Sequence, residues 1–103
     1  DGVGSTARFN QTKDVTVTPG GDIIVSDLGN HVIRCINART NVVTTIAGVP
    51  GKADYRDGPG ESAMFNTPRG VAVTKRDSHI YVSDAGNFRI RRISPEGRVE
   101  TVA

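Results

Sequence analysis

The chain has 103 residues, with 13 basic and 11 acidic side chains, so its net charge of +2 lacks the basic excess of a dedicated nucleic-acid-binding domain. Its apolar residues are mainly Val and Ile, it has 12 glycines, and no stretch has sustained helical periodicity, which predicts an all-β fold. The single cysteine, Cys35, cannot form an intrachain disulfide, which favours a reducing, intracellular setting. No apolar run approaches the roughly 20 residues of a membrane-spanning helix, so a soluble protein is expected.

The sequence repeats itself once. The opening segment DGVGSTARFN recurs as DGPGESAMFN at residues 57–66, and IIVSDLGNHVIRCI at residues 23–36 recurs as IYVSDAGNFRIRRI at residues 80–93. A repeat of this length is typical of an array of equivalent structural units. We therefore predict one repeat at residues 1–48, a polar connection at residues 49–56, and a second repeat at residues 57–103.

Each repeat opens with a glycine-rich connection. Phe9 or Phe65 is its expected buried anchor, and Ala7 or Ala63 is expected to be small because the chain passes close to a neighbouring unit. A phosphate-binding loop is the alternative, but the spacing G-x-x-x-x-G-K-S/T and a following helix are both missing.

Four strands follow in each repeat. First strands are predicted at residues 14–18 and 70–74, with turns at 19–21 and 75–78. The hairpins come next, then turns at 37–41 and 94–97, and fourth strands at 42–46 and 98–102. We expect the fourth strand to be the outer edge of each sheet.

The central hairpin of each repeat has a four-residue loop, and this loop length sets the strand register. It places Asp27 opposite Val32 and, in the second repeat, Asp84 opposite Arg89. Apolar side chains then fall on both faces of the hairpin, which is typical of a small sheet packed between two neighbours. Arg89 is accordingly predicted to form an ion pair with Asp84, whereas Arg91 is expected to stabilise its own sheet.

The loop residues have predicted structural roles. The two aspartates are expected to accept hydrogen bonds from backbone N–H groups two residues further on, the glycines to adopt positive φ, and the asparagines to tolerate a left-handed conformation. These turn residues are Asp27, Gly29, Asn30, Asp84, Gly86 and Asn87.

No set of residues predicts a catalytic, cofactor or metal site. A zinc site needs three or four converging ligands. The chain offers one cysteine and two histidines, His31 and His79, which stand at non-equivalent positions of the two repeats, so zinc binding is not favoured. Calcium binding by Asp27 and Asp84 is weighed against turn capping, which is the commoner role for such aspartates. Ser26 and Ser83 occupy equivalent positions of the two repeats, which favours a structural role for them over a role as catalytic nucleophiles.

A second group of residues is predicted to form an interaction surface. Tyr55 lies in the polar connection, where it is either a packing residue or part of a ligand site. The basic and aromatic residues of the second repeat are the best feature for RNA binding. The surface residues are Tyr55, Arg69, Phe88, Arg89 and Arg92.

The motifs DGxGxxAxFxxPxGVAV, IYVSDxGNxxIRxI and VxTxAG closely resemble the NHL repeat, over nearly the whole chain. The first copy departs from the pattern, with Thr12 and Asp14 where Pro68 and Gly70 stand in the second. The resemblance implies four-stranded antiparallel blades of a β-propeller, usually six-bladed, with the first strand of each blade innermost.

Two such blades cannot close a ring. The expected partners are therefore other blades of the same propeller or further copies of the chain, for example in a homotrimer. The expected function is a non-enzymatic protein–protein interaction scaffold without a cofactor. The alternatives are an RNA-binding face and a part of a propeller enzyme whose catalytic residues lie on other blades.

Overall fold

A computed structural model describes residues 2–3 and 8–103, and the predicted role of Ala7 lies outside these residues. The described chain is all-β, apart from two three-residue 3₁₀ turns at Leu28–Asn30 and Ala85–Asn87. Its strands are β1 (Gly2–Val3), β2 (Thr12–Val17), β3 (Ile23–Asp27), β4 (Val32–Ile36), β5 (Val42–Ala47), β6 (Gly58–Pro59), β7 (Pro68–Val73), β8 (Ile80–Asp84), β9 (Arg89–Ile93) and β10 (Arg98–Thr101). None of the described residues form a helix long and apolar enough to cross a membrane.

The strands form two antiparallel sheets, one from each repeat. The first sheet has the order β1-β5-β4-β3-β2 and the second sheet the order β6-β10-β9-β8-β7. The predicted hairpin register is confirmed in both, since Asp27 lies opposite Val32 and Asp84 lies opposite Arg89. The two sheets are thus built to one plan.

The outer edge of each sheet differs from the prediction. A two-residue strand from the glycine-rich segment pairs with the fourth long strand, β1 with β5 and β6 with β10. The fourth strand is therefore not the edge, and each sheet has five strands rather than four. Two residues are too few to show the alternation of side chains by which a strand is recognised in a sequence.

The hydrophobic core lies between the two sheets, in a contact that we call the junction. The first sheet contributes Ile24 and Ile33 to it, which are 2% and 0% exposed. The second sheet packs in the junction with its other face, the one that carries Val82. Val82 and the predicted anchor Phe65 are both 0% exposed there. The equivalent Phe9 is 37% exposed, so only one of the two predicted anchors is buried. Each sheet thus covers one face of the other.

Hydrogen bonds across the junction fix how the sheets meet. The Ser26 hydroxyl is fully buried, donates to the Arg69 carbonyl oxygen at 2.7 Å and accepts from the Asp14 N–H at 3.0 Å. The Asp14 carboxylate accepts from the Val71 N–H at 3.1 Å. Asp14, one of the two residues by which the first repeat departs from the repeat pattern, therefore supplies a contact between the sheets.

Candidate interaction surface

A buried aspartate organises each 3₁₀ turn. In the second sheet the Asp84 carboxylate, 0% exposed, accepts from the Asn66 N–H at 2.8 Å, from the Asn87 side-chain amide at 2.8 Å and from Arg91 Nη1 at 2.6 Å. Its bonds go to the preceding loop and to two side chains, rather than to the turn backbone two residues on as predicted. The reason is that the preceding loop lies directly over the turn, where the Asn66 carbonyl oxygen accepts from the Gly86 N–H at 2.8 Å.

The first sheet contains the same arrangement. Asp27 accepts from the Asn10 N–H, the Asn30 amide and Arg34 Nη1 at 2.8, 2.8 and 3.0 Å. Both oxygens of each aspartate are therefore engaged by protein donors. In the part of the chain that the structure describes, no three His, Cys, Asp or Glu side chains come together to hold a metal ion.

The turn glycines are needed for close approach, and the prediction that they adopt positive φ is wrong. A Cβ atom on Gly29 would lie 2.5 Å from the Asn10 carbonyl oxygen, and one on Gly86 would lie 2.6 Å from the Asn66 carbonyl oxygen. The left-handed residue comes two positions later, at His31 and Phe88, with φ of 60° and 56°. Asn30 and Asn87 are in the 3₁₀ turns and use their side-chain amides instead, so their predicted left-handed role is wrong too.

Arg91 is the best-connected of the buried polar side chains described, and sequence reasoning did not find its full role. It is 0% exposed and bonds Asp84, Asp57 and the carbonyl oxygens of Met64 and Arg56. The predicted Asp84–Arg89 ion pair is thus wrong, because Arg91 reaches the carboxylate diagonally along the same face. Arg91 thereby ties the connection between the repeats to the turn of the second sheet.

The connection and the turns come together at one end of the molecule, which we call the turn end. The Asn87 amide donates to the Asp54 carbonyl oxygen at 2.9 Å, and the Gly51 N–H donates to the Asn30 carbonyl oxygen at 2.8 Å. His31 Nδ1 accepts from the Thr67 N–H at 3.0 Å. These bonds hold the turn end as a continuous surface spanning both sheets.

Three of the predicted surface residues meet at the turn end. Tyr55 packs its ring against two guanidinium groups, with Arg89 at 5.6 Å and Arg91 at 4.8 Å from its centroid. Its hydroxyl shares a 2.6 Å hydrogen bond with the Thr101 hydroxyl, so Tyr55 packs against the second sheet while remaining 43% exposed. Phe88, next to Arg89, is 91% exposed. Together they present two aromatic rings and a cation.

The other two predicted residues lie apart from one another. Arg69 is exposed at the start of β7, next to Pro68, the register partner of Asp84, and thus near the turn end. Arg92 is the fourth residue of β9, where it pairs with Glu100. Hydrogen bonds that the Arg92 guanidinium donates to Tyr81 and Glu100 raise the pKa of Arg92 above its usual value. Arg92 therefore belongs to the face of the second sheet that points away from the junction.

Comparison with solved structures identifies the fold class of these two sheets. A solved structure of a protein of unknown function from Bacteroides thetaiotaomicron superimposes with a TM-score of 0.83 at 26% identity, over 89% of this chain and 23% of that one. The fold is that of two neighbouring blades of a β-propeller, each sheet being one blade.

The repeats belong to a defined family. The NHL repeat model matches residues 65–93, and NHL repeat-containing protein 2 of Bos taurus is 28% identical over 99% of this chain. The Arabidopsis thaliana protein SUPPRESSOR OF QUENCHING 1, chloroplastic, is 34% identical over 90% of the chain. A probable peptidyl-alpha-hydroxyglycine alpha-amidating lyase of Caenorhabditis elegans is 32% identical over 88%. The chain belongs to the NHL-repeat family, and it spans 14%, 9% and 25% of these three relatives.

Proposed function

We propose that this propeller segment is a non-enzymatic scaffold that binds a protein partner at the turn end. The observation that carries the proposal is the exposure of Phe88, whose side chain is 91% accessible on a turn that is otherwise tightly bonded. Aromatic and arginine side chains supply much of the binding energy in protein interfaces. Tyr55, Phe88 and Arg89 are a compact set of this kind.

The backbone at Phe88 supports a role in binding. Its φ of 56° is a left-handed conformation that bulky residues rarely adopt, and Gly or Asn would adopt it with less strain. Such strain at an exposed position fits a side chain kept for contact. The turn itself is fixed from below by the buried pair of Asp84 and Arg91. A partner would therefore meet a preorganised turn backbone and lose little conformational entropy in ordering it.

The charge of the turn end indicates the chemistry of the partner. Lys52, Arg56, Arg69 and Arg89 are all exposed along the connection, the entry to β7 and the turn. Asp54 and Asp57 are the exposed acidic residues among them, and Asp57 is paired with Arg91. An acidic protein segment with an apolar side chain for Phe88 complements this surface.

Site-specific photo-crosslinking tests the proposal. The photoreactive phenylalanine analogue p-benzoylphenylalanine at position 88 of the full-length protein, in its own cells, should capture a discrete protein partner. The matched control is the same analogue at Arg76, which is exposed in the turn between β7 and β8. Crosslinks that are absent from position 88, or the same from both positions, would contradict a binding surface at the turn end.

RNA is the alternative ligand for the same cations, because single-stranded bases stack on aromatic rings and on guanidinium groups. An RNA complex predicts that crosslinks from position 88 disappear after ribonuclease treatment. It also predicts salt-sensitive binding that Arg69→Glu with Arg89→Glu abolishes. Arg92→Glu is the control, because that side chain lies away from the turn end.

The likeness to the Caenorhabditis elegans lyase keeps an enzymatic alternative, in which the reacting groups lie on other blades. Turnover of a peptidyl-α-hydroxyglycine substrate by the full-length protein would favour that alternative. Retention of that turnover in Phe88→Ser would separate it from binding at the turn end.

A further inference from the structure

A groove with two chambers crosses the junction at the end of the molecule opposite to the turn end, and we call it the base groove. Strand β8 begins at this end and β9 finishes there, so the loops before and after that hairpin form one wall and β5 forms the other. The inner chamber, of about 300 Å³, is lined by four isoleucines, Ile24, Ile46, Ile80 and Ile93. The outer chamber, of about 590 Å³, shares Ile46 and Gly97 with the inner one. The base groove is therefore a feature of the contact between the two sheets.

A β-bulge and a glycine shape the base groove. The pairing of β5 with β4 passes from Ala47 to Thr45 between adjacent residues of β4, so Ile46 is the extra residue of a bulge. Bulges re-aim a side chain, and Ile46 lines both chambers. Gly97 has a φ of 87°, and a Cβ atom there would meet no atom within 4 Å. Asn41, which holds the same place before β5, is also left-handed with φ of 61°, so this backbone conformation does not by itself require a glycine. The missing side chain at Gly97 leaves the passage between the chambers open.

The two chambers differ in chemistry. The inner chamber is apolar because its isoleucines belong to the junction core or pack against it. The outer chamber is bordered by three exposed charged residues, Glu61, Glu96 and Arg98. Within the described part of the chain, none of these three side chains has an ion-pair partner. Two carboxylates against one guanidinium give the outer chamber an excess of negative charge, although the whole chain has a net charge of +2.

We propose that the base groove binds an extended segment of a partner protein in which an apolar residue is followed, two positions later, by Lys or Arg. Side chains two positions apart in an extended chain point the same way and lie about 7 Å apart, so they enter neighbouring chambers. The apolar side chain enters the isoleucine-lined inner chamber, and charge complementarity favours the cation in the outer one. The base groove and the turn end lie at opposite ends of the sheets, so this segment does not compete with a partner bound at the turn end.

A peptide array tests the proposal with the full-length protein. The peptides consist of Gly and Ser except at two positions, separated by one residue, which are varied over all amino acids. Binding should require an apolar residue at the first position and Lys or Arg at the second. In fluorescence polarisation, exchange of the apolar residue for Ser should weaken binding about ten- to a hundred-fold, the effect of burying one aliphatic side chain. An array without signal above the Gly–Ser background, or with signal set by charge alone, would overturn the proposal.

Charge reversal identifies the residues that recognise the basic position. Glu61→Lys together with Glu96→Lys should invert the preference at the second peptide position from Lys or Arg to Asp or Glu, while the apolar preference at the first position stays. Glu100→Lys is the matched control, because that glutamate is exposed and pairs with Arg92 outside the base groove, so its array should match that of the wild type. A double variant that still prefers Lys or Arg would contradict the assignment of the outer chamber.

Closing the passage between the chambers provides a second test. Gly97→Asn adds a side chain there, and Asn41 shows that asparagine adopts this backbone conformation in the same turn of the first repeat. Peptide binding should be lost while the melting temperature stays close to that of the wild type. Gly51→Asn is the matched control, because Gly51 also has positive φ and open space around its Cβ position but lies at the turn end. Phe88→Ser should bind the peptide as the wild type does. Full binding by Gly97→Asn, or loss of binding in Phe88→Ser, would contradict a separate site in the base groove.

Discussion

Replacement of Arg91 by Met should be among the most damaging single changes in the second sheet. The side chain is 0% exposed, and Asp84, with which it pairs at 2.6 Å, is 0% exposed as well. Removal of the cation leaves a buried carboxylate with only an N–H and an amide as partners, and the Met64 and Arg56 carbonyl oxygens each lose one of their two donors. Breaking a buried ion pair from one side costs about 3–5 kcal/mol.

A loss of that size is a large part of the total, because a domain of this length is stable by about 5–15 kcal/mol. Urea unfolding followed by far-UV circular dichroism measures it, and the midpoint should fall by more than about 1 M. Arg92→Met is the matched control. Its pair with Glu100 is exposed, so its unfolding curve should coincide with that of the wild type.

A double variant separates the buried charge from the lost packing. Asp84→Asn together with Arg91→Met removes both charges, so it should be more stable than Arg91→Met alone. A cost below about 1 kcal/mol for Arg91→Met, with an unchanged dependence on urea, would refute the reasoning that this pair organises the turn. So would a double variant that is less stable than the wild type by the sum of the costs of Asp84→Asn and Arg91→Met, because independent costs mean that the two side chains do not interact.

Three further predictions concern the junction and the turns. Ser26→Ala should cost about 1–3 kcal/mol in urea unfolding, because it removes a fully buried hydroxyl that donates to the Arg69 carbonyl oxygen and accepts from the Asp14 N–H, while Ser83→Ala should change nothing; equal effects would contradict the burial of only one of them. Gly86→Ala should lower the melting temperature by several degrees because its Cβ would lie 2.6 Å from a backbone oxygen, whereas Gly20→Ala, with its nearest neighbour at 3.9 Å, should not; matching melting curves would refute the close approach. Phe65→Ala should cost about 3–5 kcal/mol, and a near-neutral result in calorimetry would place the core elsewhere.

Much of the fold was predictable because it depends on short-range patterns. A four-residue loop between two apolar runs leaves one register, and the structure has that register in both hairpins. Apolar residues on both faces indicated a sheet between two neighbours. The junction covers one of these faces. The assignment of residues 1–48, 49–56 and 57–103 to two repeats and a connection stays a prediction.

The details that sequence reasoning missed depend on segments distant in the chain. A glycine in a tight turn usually indicates positive φ, and this is the prediction for Gly86. The structure shows instead that Gly86 is needed because the loop containing Asn66 lies directly over it. Arg89 is directly opposite Asp84, so cross-strand pairing favoured it, but Arg91 is long enough to reach the carboxylate from inside the sheet. The packing of Tyr55 against Arg91 joins positions 36 residues apart and leaves no local signal.

The measurement that tests this account most directly is a methyl NOE spectrum of the chain in solution, with isoleucine and valine methyl groups labelled. Because the two sheets share one core at the junction, Ile24 and Ile33 should give NOEs to methyl groups of the second sheet such as Val71, Val82 and Ile93. NOEs confined within each repeat, with none linking the two sheets, would contradict it.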